Sequence, residues 1–149
     1  MEESVKLALQ SAVRSLARCE QCRFSLERKL EKKEFSPEDI KEALDYLEAN
    51  NYLSDERYAE TWVRSHCAFK PMGAMRLIRE LRMKGLSNEI AKRTVAAFFE
   101  TVDESVLCRQ AYQKLSRKLK NEQKIIKSLA DSGFSYKMIQ SVLREEKVR

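Results

Sequence analysis

Glycine, proline and histidine are scarce in this chain, at three, two and one among 149 residues. So few glycines and prolines leave little length for irregular loops, because these residues supply most turn geometry. Three isolated glycines build no phosphate-cradling loop. A Ser–His–Asp triad would have to use His66, and no serine carries nucleophile-elbow glycines. No apolar run approaches the roughly 18 residues of a membrane-spanning helix. The chain opens on Glu2 and Glu3 without a signal-peptide profile, so a cytoplasmic protein with reduced thiols is expected. Catalysis finds no foothold, no cofactor is called for, and no membrane contact is expected.

What the chain does have is internal repetition. Hydrophobic residues make up 43% and charged residues 35%, a balance that suits helices with much exposed surface. Three segments superpose with identical spacing. Leu26, Leu30, Phe35, Ser36 and Leu44 form the first, and Leu77, Leu81, Leu86, Ser87 and Val95 the second. Ile125, Leu129, Phe134, Ser135 and Leu143 form the third. In each, an apolar residue precedes a serine suited to cap a helix. Pro37 follows Ser36 at the first helical position, where its missing N–H is unused. The pairs Phe35 with Ile40, Leu53 with Tyr58 and Phe134 with Ile139 have the spacing of hydrophobic staples. A further helix starts near Cys22, Gly73 and Asn121, eight residues before each leucine of the Leu30 type.

These signals predict an all-α fold of nine helices and no strands. The helices group as three tandem three-helix, helix-turn-helix-like repeats over residues 1–53, 54–101 and 102–149. A single unit of about fifty residues buries little core alone, so stacking into one continuous elongated arc is expected. Tyr58, Trp62, Phe98 and Phe99 are read as core or inter-repeat packing.

Charge rises along the chain, from net −2 over residues 1–53 to +3 over 54–101 and +5 over 102–149. Arg76, Arg79 and Arg82 recur every third residue along one helix and Lys84 closes it. Lys114, Arg117, Lys118, Lys120, Lys124 and Lys127 gather around the seventh and eighth helices. The same runs read either as solvated helix faces or as contacts to phosphates or an acidic protein surface. Base-specific reading by every repeat is not expected. The helix after Ser36 sets Glu38, Asp39, Glu42, Asp45 and Glu48 against Lys41 alone, and phosphate would repel it.

The cysteines support a competing reading. Cys19 and Cys22 have CxxC spacing, and His66-Cys67 adds two ligand types that zinc accepts. Cys22 falls at an expected helix N-terminus, a position that lowers a thiol pKa. A lone CxxC is weak, so the thiols read first as ordinary small or buried residues, and Cys108 as a helix-face residue with no partner in sequence.

Tyr52-Leu53, Asp55-Glu56-Arg57-Tyr58-Ala59, Ile78-Arg79-Glu80-Leu81 and Lys84-Gly85 together resemble the RecX family, the small bacterial regulators of the RecA recombinase. Leu16-Ala17-Arg18 with Leu26, Lys29 and Leu30 also fits. Cys22 departs from the family's serine-like cap. The resemblance implies a monomeric, non-enzymatic inhibitor that binds the RecA–single-stranded-DNA filament, contacts the strand within it, and modulates recombination, DNA repair and the SOS response. Arg76, Arg79, Arg82, Lys84, Lys114, Arg117, Lys118, Lys120 and Lys124 are the candidate partner- or DNA-binding residues. An independent nucleic-acid-binding module and a metal- or thiol-responsive protein are the alternatives.

Overall fold

A computed structural model describes residues 1–148. Nine helices appear among the described residues: α1 (Glu3–Arg18), α2 (Arg23–Lys32), α3 (Pro37–Ala49), α4 (Asp55–Phe69), α5 (Ala74–Met83), α6 (Asn88–Thr101), α7 (Glu104–Ser116), α8 (Glu122–Asp131) and α9 (Tyr136–Val148). The repeated signals are physically real. Ser36, Ser87 and Ser135 accept from the backbone N–H of Asp39, Ile90 and Met138 at 3.2, 3.1 and 3.2 Å. Each closes one orphan donor at the start of its third helix.

The turn before each serine is also the same in all three repeats. The N–H groups of Phe35, Leu86 and Phe134 reach back to the carbonyls of Leu30, Leu81 and Leu129 at 3.3, 3.2 and 3.3 Å. The residue before each is left-handed: Glu34 at φ 67°, Gly85 at 96° and Gly133 at 97°. This is the Schellman ending, which glycine enters freely and a side chain enters at a cost of roughly 1–2 kcal/mol.

Helix contacts run within repeats: α1, α2 and α3 pack together, α6 packs on α4 and α5, and α7, α8 and α9 pack together. The chain is thus three tandem three-helix repeats in series. Its accessible surface is 9654 Å², against about 7,900 Å² for a compact monomer of this mass, so the series is extended. No helix of the described residues is long and apolar enough to cross a membrane.

The joints between repeats explain why the units stay in line. Cys22 and Gly73 cap α2 and α5 without any side-chain hydrogen bond. The missing acceptor comes from the next repeat. Asp55, first residue of α4, accepts from the Arg23 N–H at 2.8 Å. Glu104, first residue of α7, accepts from the Ala74 N–H at 2.8 Å. In the third repeat Asn121 caps α8 itself through the Lys124 N–H.

The second half of each joint needs glycine. The α5–α6 turn sits on the start of α2, where the Cys22 thiol donates to the Lys84 carbonyl at 3.4 Å. A Cβ on Gly85 would lie 2.3 Å from the Phe24 ring. The α8–α9 turn sits likewise on the start of α5, where the Gly73 N–H donates to the Ser132 carbonyl at 2.8 Å. There a Cβ on Gly133 would meet Arg76 at 2.4 Å, and one on Gly73 would meet the Gly133 backbone at 2.5 Å. Glu34 holds the equivalent left-handed turn in the first repeat.

Two expectations need correction. Leu53 and Tyr58 do not share one packing site: Leu53 is buried with Leu30, Leu44 and Leu47, whereas Tyr58 packs against the separate cluster that holds Trp62 and Leu81. Leu53 closes the first repeat's core instead of stapling the helix that follows. Cys108 keeps the helix-face place read for it: it lies buried on the α7 stripe with Leu107 and Ala111. The repeats also share core unequally. Leu81, Val95, Cys108, Leu129 and Phe134 belong to one continuous cluster across the second and third repeats, while the first repeat has separate clusters.

The Asp55 cap is testable. Burial is the largest influence on its carboxyl and raises its pKa above the ordinary 3.8, partly offset by the Arg23 N–H. A folded pKa above the unfolded one means the folded state holds more protons. Stability from this group therefore falls as pH rises between the two values. Asp55→Ala should cost about 1 kcal/mol near neutral pH, the usual loss for a cap. Asp55→Asn keeps an acceptor oxygen, drops the ionisation, and should cost less. Urea unfolding across pH checks this, and equal losses for Ala and Asn would contradict the inter-repeat cap.

Candidate functional site

The nine basic candidates do not form one patch. Arg76 is half-buried at the second joint, lies 3.6 Å from Glu80 and covers Gly133, so its first task is packing. Arg79 and Arg82 are exposed on α5 and enter no ion pair among the described residues. Exposed Lys84 holds its ammonium 5.7 Å from the centre of the Trp62 ring. That contact sets one cation at the aromatic face of the second repeat.

The α7 candidates converge elsewhere. Lys114 and Lys118 line a groove of about 410 Å³ with Phe69, Lys70, Pro71 and Leu115. Arg117 and Lys114 line a second hollow that also borders Phe69 and Pro71. Lys120 and Lys124 are exposed beyond the end of α7 and line neither hollow. The structure thus joins Lys114, Arg117 and Lys118 around the loop from α4 to α5 and leaves the α5 arginines as a separate set.

Phe69 and Lys70 are the members the sequence reading missed. The buried stripe of α4 runs through Ala59, Trp62, Val63 and Cys67. Phe69 falls off that stripe and is 88% exposed. A large aromatic residue out of phase with its helix, followed by Lys-Pro, was the available signal.

The acidic α3 is partly neutralised within the chain. Arg23 lies 2.8 Å from Asp45 and 2.7 Å from Glu48, and Lys41 lies 2.8 Å from Asp45. Two of its five carboxylates are thereby engaged in the first repeat.

The thiols are dispersed by their surroundings. Cys19 is exposed, and Cys22, Cys67 and Cys108 are buried. The helix start does not activate Cys22: burial pushes its thiol up from 9.0, and nearby Asp55 adds to this. Burial also raises Cys67, and Cys108 is pushed up to about 11. His66 stacks on Trp62 at 4.0 Å, with Nδ1 2.9 Å from the Trp62 carbonyl oxygen. Among the described residues, no three His, Cys, Asp or Glu side chains are grouped as a metal ion would require.

Two family models match this chain. Residues 8–47 match the first three-helix domain of RecX and residues 54–94 the second. A regulatory protein RecX of Chlorobaculum tepidum is 33% identical over 159 aligned positions, covering 100% of this chain and 97% of the relative. A regulatory protein RecX of Treponema pallidum is 29% identical, covering 91% of this chain and 82% of the relative. The crystal structure of RecX from Lactobacillus salivarius aligns with a TM-score of 0.83 at 22% identity, covering 100% of both chains. A second crystal structure of regulatory protein RecX gives 0.86 at 21% identity, covering 95% of this chain and 74% of the other.

A thiol reagent applied to the native chain near neutral pH should modify Cys19 and spare the three buried thiols, which keep their protons there. Mass spectrometry after short exposure, with and without denaturant, reads this directly. Modification of Cys22 as fast as Cys19 would restore the thiol-responsive alternative.

Proposed function

The chain belongs to the RecX family, and from that premise we propose that it binds the filament RecA forms on single-stranded DNA and lowers recombinase activity. It acts as a RecX-type regulator without chemistry of its own, as a monomer in the cytoplasm. The observation that carries this reading is the relationship to regulatory RecX proteins along the whole chain. The shape supports it physically. Three repeats in series present a long surface able to touch more than one filament protomer, as stacked repeats do elsewhere. Docked along the filament groove, such a body would obstruct strand exchange or favour loss of protomers.

The exposed cations supply a salt-sensitive contribution. Arg79, Arg82, Lys118 and Lys124 are exposed and spend no charge on a partner among the described residues. They are free to meet phosphates or acidic side chains. The same four residues support the second reading, an independent nucleic-acid-binding module.

Reversing Arg79, Arg82, Lys118 and Lys124 to Glu should leave unfolding within about 0.5 kcal/mol per site, since exposed charges contribute little. It should raise the concentration for half-inhibition of RecA-driven ATP hydrolysis by roughly tenfold. Titrations against filaments and bare strands at two salt concentrations separate the readings. Filament regulation predicts inhibition that persists at moderate salt with weak binding to bare strands. Tight, salt-sensitive binding to bare strands with no effect on RecA turnover would favour the independent module.

A further inference from the structure

An exposed phenylalanine alone means little on a protein surface. The surroundings of Phe69 are what set it apart. It ends α4 with 88% of its surface open to solvent, and Lys70 leaves the helix in extended backbone. Phe69 borders the groove of about 410 Å³ bearing Lys70, Lys114 and Lys118. It also borders a hollow of about 340 Å³ bearing Lys114, Arg117, Gln110 and Gln113. Four cations therefore flank one ring, and no Asp or Glu lines either hollow. None of the four enters an ion pair among the described residues.

We infer that this ridge is a binding site for a single-stranded nucleic acid, with a base stacked on Phe69 and flanking phosphates held by Lys114, Lys118 and Arg117. Aromatic faces stack any unpaired base, and a track of cations beside them holds the backbone without reading sequence. An acidic peptide would satisfy the cations but leave an open, flat ring with nothing planar to cover it. A duplex would meet the cations too, yet its bases are already stacked and closed to Phe69. The placement deepens the filament reading and rests on it for the biological source of the strand. The site itself stands on the ring and its cations.

The test is anisotropy of a labelled oligodeoxythymidylate at low salt, without RecA, so that it is independent of filament inhibition. Phe69→Ala should weaken binding roughly tenfold and leave the slope of log affinity against log salt unchanged. Phe69→Tyr should restore most of it. Lys114→Gln with Lys118→Gln should reduce that slope by about 1.4, two contacts at roughly 0.7 each for a single strand. A duplex of equal length should bind the native chain more weakly and be indifferent to Phe69→Ala. Circular dichroism confirms that each variant is folded. Equal binding of the oligonucleotide by native chain and Phe69→Ala would overturn the site, as would equal loss on duplex. If Phe69→Ala reduced only RecA inhibition, the ridge would seat protein: the inference would fail while filament regulation stood.

Discussion

Two backbone N–H groups that their own repeats leave without an acceptor govern this molecule. Arg23 and Ala74 open second helices, and each donates to a carboxylate from the repeat that follows, Asp55 or Glu104. A part-buried donor without a partner costs free energy, so the first and second repeats are each complete only when the repeat after them is seated. The polarity of the chain follows from this. The third repeat instead caps α8 with its own Asn121, and the first holds its left-handed turn with Glu34. Gly85 and Gly133 hold the same left-handed turn where a neighbouring helix leaves no room for Cβ.

The two joints use this device with different apolar backing. The second and third repeats share one continuous core, whereas the first keeps its own clusters and meets the second through Asp55, the Cys22 thiol and Phe24 against Gly85. Fewer buried apolar contacts make the first joint the more easily opened of the two. The Phe69 ridge, built from α4 and α7, therefore sits on the stiffer half, where a recognition surface holds its shape. Arg57 strengthens the softer joint with a 2.9 Å ion pair to Glu20 and hydrogen bonds to the Asn51 and Tyr52 carbonyls.

Much of the fold was legible because its signals are local. A serine cap, the apolar residue before it and two leucines four apart repeat three times, and helical periodicity turns them into elements. The joints were not legible in the same way. Asp55 stands in the first turn of its own helix, and nothing local says that it caps α2. Gly73 read as a helix start and Gly85 as part of the family pattern, although backbone and ring from other repeats press on both. The residues that carried the family resemblance, Asp55, Arg57, Ala59, Lys84 and Gly85, sit at or beside the first joint. Their pattern marks architecture more than partner contact. The surface was the least legible part: charge spacing grouped Arg76 with Arg79 and Arg82, yet packing over Gly133 takes Arg76 out of that set.

The claim at the centre of this account is that an extended series of repeats engages RecA as a filament on DNA. The direct measurement is retention of purified RecA by the immobilised chain, with single-stranded DNA and ATP supplied together, singly or not at all. The account predicts strong retention only when both are present, because only then do adjacent protomers line up to meet successive repeats. Equal retention of RecA without DNA or ATP, or retention of the strand alone with RecA left in solution, would contradict it.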